Sequence, residues 1–429
     1  MFDDGYRLGS TKAPNVWAKA PRSRAKDLAR WGAVIPVLAI VAIARGTGPA
    51  SAQETVVAAP APIAAAVPAG RWSPDSARSL LKAIDGSAAE GLNPADYSAD
   101  SLRAAINLGQ AGPILDAAAD SAALKLAHDY ANGHVTDKAR FDWHIADPMD
   151  ATALNAGLAK ALAGNSVDLW LQSLLPDNDQ YRALKAAYAK TDPGDAATRE
   201  TLRTNMERWR WMPRKLGDHY LYVNIPTYRL QDMQNGVEQA AYKVVVGAPD
   251  TPTPQLALQA QSIIVNPSWN LPPTVLKEGK IRPGASAAAK GYSFTRRADG
   301  SMAIKQAPGP QNALGRIKFD MPNPWSIYLH DTPSKWAFAK SDRALSHGCV
   351  RVQNIDQLAT SLRDDGAVDE ALGDHETRTL QFQKSLPVYI VYFTAQADAD
   401  GNIRYFDDPY RRDQKMVSTM NAKVQMASR

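Results

Sequence analysis

The chain has a single cysteine, Cys349, among 429 residues, and that scarcity excludes much. No intramolecular disulfide can form, and no metal site built on several thiolates is available. The seven histidines offer no convincing ligand cluster, so no metal site is expected. A run long enough to cross a bilayer is also lacking. The leader's apolar stretch, WGAVIPVLAIVAIA, covers 14 residues from Trp31 to Ala44, against the roughly 20 that span a membrane as a helix. Finally, the body has no excess charge of either sign. The net +5 resides entirely in residues 1–45, and the remainder carries 41 basic and 41 acidic side chains. A basic surface for DNA or RNA is therefore excluded, and no nucleic-acid partner is expected.

What is present begins with an export signal. A basic segment, PRSRAKDLAR, precedes the apolar stretch, and ASA at Ala50–Ala52 offers a small-residue cleavage site before Gln53. Residues 1–52 are read as a signal peptide or, because the basic region is long, an uncleaved N-terminal membrane anchor. Either way the body is exported. In an oxidising compartment a lone cysteine stays a free thiol because no second one can pair with it.

Residues 53–71 are rich in Ala and Pro and lack amphipathic period, the composition of a linker. Helical period starts at Trp72. Ser73 is the expected N-cap with Pro74 at the first helical position, and further helices fit GPILDAAADSAALKLAHDYANG, ATALNAGLAKALAG, VDLWLQSLL and QYRALKAAYAK. A last helix is expected over 196–211, so residues 72–212 read as a helical domain. The period then switches to two. YLYVNIP alternates, Asn235–Gly236 marks a hairpin, and SIIVNP, WSIYLHD, PVYIVYF and IRYF supply further strands. The fold class is α+β, with a mostly β domain over 213–410. A helix starting at Asn354, with Gln357 three residues on, reads as a capping box. Residues 270–318 have weak period and read as a lid, and 411–429 as a polar, poorly ordered tail.

Cys349 sits in SHGCVRV, residues 346–352. Alone, it could be an inert buried thiol. A nucleophilic cysteine needs a base, an orienting group and oxyanion donors. Five histidines (His128, His134, His144, His219 and His375) read as solvated or capping groups. His330 differs, since it closes the strand WSIYLHD, in which Tyr328 and His330 point one way and Ile327 and Leu329 the other. The loop to Cys349 is long enough to double back and face the two side chains together. Asp331, or a backbone carbonyl, is the candidate for fixing the His330 tautomer. His347 and Gly348 directly precede the thiol, and the amides of Gly348 and Cys349 can aim at one oxygen. Arg351, on the strand face of Cys349, can lower the thiol pKa, bind a substrate carboxylate, or form a surface salt bridge.

The stretch IYLHDTPSKWAFAKSDRALSHGCVRV resembles the active-site signature of the L,D-transpeptidases, which remodel bacterial peptidoglycan. NMERWRWMP, YLYVNIPTYRL, VVVGAPDTPTP, IIVNPSWNLP and GRIKFDMPNPWSIYLHDTP are similar to the large periplasmic subclass, and LLKAIDGSAAEGLNPADY and LKLAHDYANGHVTD to its helical scaffold. The resemblance covers roughly 72–410. It implies Cys349 as nucleophile and His330 as base. Gly348 and the Cys349 amide would form the oxyanion site, Ser346 and His347 complete the motif, and Arg351 is the signature arginine. Trp269, Asn270, Tyr328 and Asp331 are the implied substrate-binding positions, and the insertion after Trp269 the capping subdomain. The partners would be tetrapeptide stems of peptidoglycan, as donor and acceptor. Neither metal nor cofactor is implied, the setting is the periplasm, and carbapenems would acylate the cysteine. The implied product is a 3→3 cross-link, with hydrolysis (L,D-carboxypeptidase), D-amino-acid exchange or a non-catalytic wall-binding scaffold as alternatives. One departure stands out. AAYAKTDPGDAATRETLRTNMERWRW runs straight through where the subclass usually inserts a peptidoglycan-binding module.

Overall fold

A computed structural model of the chain describes residues 72–422 apart from 109–110, 273–274, 277–278 and 280. The expected leader and Ala/Pro linker lie outside the described residues. No helix among the described residues is long and apolar enough to cross a membrane.

Among the described residues seven α-helices come first: α1 Pro74–Gly86, α2 Ala99–Asn107, α3 Pro113–Asn132, α4 Ala151–Ala163, α5 Val167–Ser173, α6 Asp179–Lys190 and α7 Ala196–Trp211. The expected start of α1 is observed, with the Ser73 hydroxyl accepting from the Ser76 amide at 3.1 Å. Leu80 and Ile84 of α1, Leu102 and Ile106 of α2, and Leu115 and Leu126 of α3 bury one apolar stripe each in a shared core.

Helix α7 is unusual in burying polar residues. Every residue from Thr204 to Trp211 is buried, including Glu207, Arg208 and Arg210. Charges in that position survive only when paired. Arg210 pairs with Glu207 at 3.2 Å and donates to the Tyr181 hydroxyl and the Glu90 carbonyl at 2.9 and 3.0 Å. Arg208 pairs with Asp413 at 2.6 Å, and Trp209 packs against Phe393 at 4.8 Å between centroids with the rings tilted. This helix therefore joins the helical layer, the sheet and the chain's last helix.

The β region opens with β1 His219–Asn224, β2 Arg229–Gln234, β3 Val237–Gly247 and β4 Leu256–Val265. The β2–β3 turn is the expected hairpin, with positive φ at both Asn235 and Gly236 (49° and 79°). The insertion contains β5 Trp269–Asn270, α8 Ala285–Ala289, β6 Tyr292–Arg296 and β7 Met302–Gln306. It is better ordered than its weak period suggests, since β5, β7 and β6 form a sheet of their own. Then follow β8 Ile317–Asp320, β9 Leu329–His330, β10 Ala344–Ser346, β11 Val350–Val352, α9 Ile355–Leu362, α10 Ala367–Asp374, β12 Arg378–Val391, β13 Ala395–Ala397, β14 Ile403–Tyr405 and α11 Arg412–Asn421. The main sheet runs β10-β3-β11-β9-β8-β4-β12-β1-β2, and a further pairing joins the edge strand β2 back to β3. Strand β1 is buried on both faces. Leu221 and Val223 enter the core shared with Leu358 of α9, and Tyr220 and Tyr222 pack in the cluster of Trp209 and Trp211.

Two expectations fail here. Residues 411–422 do not form a disordered polar tail, and the rest of that expected tail lies outside the described residues. Met416 and Met420 share a face of α11 and are buried with Trp209, and Arg412 is buried over the rings of Tyr392 and Tyr410 at 4.9 and 5.0 Å. At the start of α9, Asn354 adopts φ 52° and its side chain makes no cap bond, so there is no capping box.

Removing Asp413 strands a buried guanidinium, a loss of about 3 kcal/mol. Asp413→Ala is therefore expected to lower the urea midpoint at unchanged m-value. An unchanged midpoint would show that α11 is not anchored through Arg208.

Candidate active site

Three short strands build the site. β8 and β9 are antiparallel with Lys318 opposite His330, and β9 and β11 are parallel with Leu329 opposite Val350 and His330 opposite Arg351. Alternation then divides the side chains between two faces. Phe319, Leu329, Val350 and Val352 enter the apolar core. Lys318, Tyr328, His330, Cys349 and Arg351 share the opposite face. The Val350 amide donates to the Tyr328 carbonyl at 3.0 Å, which sets Cys349 beside Tyr328 and diagonal to His330. The expected strand WSIYLHD is shorter than its alternation suggests, because Ser326 takes φ 55° and turns the chain.

That turn has a use. The Cys349 thiol donates to the Ser326 carbonyl at 3.4 Å. Asn323 holds the turn, with its side chain accepting from the Trp325 and Ile327 amides (3.1 and 3.2 Å) and donating to the Ile327 carbonyl (2.9 Å). Trp325 packs on His144 of the helical layer at 4.6 Å between ring centroids. His144 is thus a support for the thiol's own loop, a role that its sequence surroundings do not signal.

His330 is buried, and its Nδ1 bonds the backbone carbonyl of Asp331. A carbonyl only accepts, so Nδ1 carries the proton and Nε2 is the unprotonated nitrogen of the neutral ring. The Asp331 carboxylate is occupied elsewhere, by Lys335 and by the Arg316 amide at 3.0 Å. Of the two candidates for orienting His330, the backbone carbonyl is the one observed. Asp331's expected place among substrate-binding groups is not supported.

Gly348 has φ 112°, a conformation open to glycine, and a Cβ there would lie 3.3 Å from Ile327. Its amide, however, donates to the Ser346 hydroxyl at 3.1 Å, and that hydroxyl donates to the Cys349 carbonyl at 2.6 Å. Gly348 is therefore not a free oxyanion donor, and Ser346 is a brace for the loop. His347 is exposed. The Gly348 carbonyl accepts from Thr253 Oγ at 2.7 Å. Tyr410 supports Thr253 in turn, accepting from its amide at 3.1 Å and donating to the Gly247 carbonyl at 2.7 Å. Arg412, lying over the Tyr410 ring, pairs with Asp142 of the helical layer. Nothing in the local sequence of Lys318, Thr253 or Tyr410 signals these positions, because each depends on partners elsewhere in the chain. Trp269 and Asn270, expected at the cleft, form β5, paired with Gln306 and Lys305 in the insertion's own sheet.

Burial dominates the electrostatics. It pushes the Cys349 thiol up to about 11, against the opposing pull of the Tyr328 backbone bond and the cations of Lys318 and Arg351. Burial, assisted by the Arg351 cation, lowers His330 to about 4. Thiol and imidazole are both neutral at pH 7, a state from which the imidazole can take the thiol proton as sulfur attacks a carbonyl.

Residues 218–390 match the family model described as the L,D-transpeptidase catalytic domain, and residues 70–187 match a scaffold domain. A Haemophilus influenzae protein, itself assigned only provisionally as an L,D-transpeptidase, is 30% identical over 286 residues. That alignment covers 60% of this chain and 57% of the relative's length. Among solved structures, an L,D-transpeptidase from Mycobacterium smegmatis aligns at 14% identity over 40% of this chain and 58% of its own, with TM-score 0.22. The catalytic domain of the Enterococcus faecium L,D-transpeptidase, acylated by ertapenem, aligns at 15% identity over 41% of this chain and 98% of its own, with TM-score 0.21. The likeness rests on the two family models, each matching less than half of the chain, and not on these structural alignments.

The pH dependence follows from the two shifts. The base form of His330 is present above its pKa and lost as pH falls through it, so kcat/KM for acylation should hold to about 5 and fall near 4. An acid limb at the ordinary histidine value of about 6.5 would contradict a buried, neutral base.

Proposed function

We propose that this chain, whose residues 218–390 belong to the L,D-transpeptidase catalytic-domain family, is an exported peptidoglycan transpeptidase that works through a thioester on Cys349. The observation that carries the reading is the β9–β11 register, which puts His330 and Cys349 on one face with the His330 Nδ1 proton held by a backbone carbonyl. In the acylation step, Cys349 Sγ attacks the carbonyl between the third residue and D-Ala of a tetrapeptide stem. Its proton passes to His330 Nε2 and then to the departing D-Ala amine, as the C–N bond breaks and the C–S bond remains. In the second step the side-chain amine of another stem attacks the thioester. It gives a proton to His330, which returns it to the leaving sulfur, and a 3→3 cross-link results. Of the two oxyanion donors implied by sequence, the Cys349 amide is the one left for this role, since the Gly348 amide is already used. The periplasm is the setting that a basic and apolar leader suits.

Product analysis by mass spectrometry tests this reading, using tetrapeptide muropeptides and the purified chain. Dimers lacking one D-Ala are expected. Tripeptides alone would mean that water is the acceptor, and unchanged material would favour a non-catalytic wall-binding scaffold. Cys349→Ala should abolish conversion, and His330→Ala should slow it by about 10²–10⁴, far more than His347→Ala. Equal effects of the two histidine substitutions would show that the base is misassigned.

A further inference from the structure

The charges on the site face do not balance. Lys318 has a partner, Asp320, at 3.3 Å, and its ammonium also lies 4.1 Å from the centroid of the Tyr328 ring. Asp331 is neutralised by Lys335. Arg351 is different. It is half-buried beside the thiol, and among the described residues no carboxylate pairs with it and no acceptor takes its donors. A guanidinium carries five N–H donors in a fixed fork that matches a carboxylate. Leaving it desolvated and unmatched is costly unless a ligand supplies the anion. The Cys349 thiolate is not that anion, because the thiol stays protonated at neutral pH.

We propose that Arg351, with Lys318 beside it, forms an anion subsite for a carboxylate of the acyl-donor peptide close to the bond that is cut. The proposal rests on the transpeptidase reading above and deepens it. Cys349 and Arg351 are two residues apart on one strand face, a separation of about 7 Å. A donor with its scissile carbonyl over the thiol carries a carboxylate on its leaving residue, three bonds from the attacked carbon. An acidic third residue carries another at the end of its side chain. Either lies within reach of a long, forked side chain anchored at Arg351. Bidentate recognition would orient the donor before attack and give the half-buried cation its missing partner.

Three synthetic donors separate the two sources: a tetrapeptide with free carboxylates, its C-terminal carboxamide, and its third-residue side-chain carboxamide. For the unsubstituted protein, kcat/KM for acylation should fall about 10- to 100-fold with one of the two amides, the size expected for a charge-assisted bond. The affected amide identifies the carboxylate. In Arg351→Met that preference should collapse towards one, with partial recovery in Arg351→Lys, and Lys318→Met should narrow it. If the unsubstituted protein accepts all three donors equally, the subsite is refuted while the transpeptidase reading survives. A preference that persists in Arg351→Met likewise refutes it, and failure of every donor to acylate the protein overturns both. The comparison of donors on unsubstituted protein does not depend on any variant folding.

Discussion

The site depends on one pairing, the parallel contact of β9 with β11 that sets Leu329 against Val350 and His330 against Arg351. Side chains alternate with a period of two, so a slip by one residue would send His330 into the apolar core and bring Leu329 to the cleft. The register is secured from below. Phe319, Leu329, Val350 and Val352 are all fully buried in one core, and none could exchange places with a lysine, a histidine or an arginine without burying an unpaired charge or polar ring. The apolar face thereby fixes the reactive face.

A second layer of support comes from far away in the chain. The loop at Gly348 is held by Thr253, Thr253 by Tyr410, and the Tyr410 ring is covered by Arg412, which pairs with Asp142. On the other side, His144 packs against Trp325 in the loop whose Ser326 carbonyl receives the thiol. The helical domain thus reaches the nucleophile by two routes, one through the last helix and one directly. Helix α7 ties the same parts together through buried ion pairs. These contacts give the helical domain a physical part in presenting Cys349.

Much of this was legible in the sequence where the signal is local. The Asn235–Gly236 turn, the Ser73 cap, and the opposite facing of Leu329 and His330 follow from neighbours within a few residues. Features that depend on distant partners were not legible. Arg412 and Asp413 look like solvated tail residues until Asp142 and Arg208 are seen to meet them. Lys318 reads as an outward strand lysine, although the sheet puts it over Tyr328. The Gly348 amide looked available because nothing in SHGC reveals that the Ser346 hydroxyl takes it. The pairing of Trp269 and Asn270 with Gln306 and Lys305 likewise joins residues far apart in the chain.

The central claim, a covalent acyl intermediate on Cys349, is open to direct observation. The chain can be incubated with a tetrapeptide donor in the absence of any acceptor amine, quenched in acid, digested and mapped by mass. The account predicts that the peptide containing Cys349 gains the mass of the acyl tripeptide, with one D-Ala released for each adduct formed. Release of D-Ala with Cys349 unmodified, or an adduct on another residue, would contradict it.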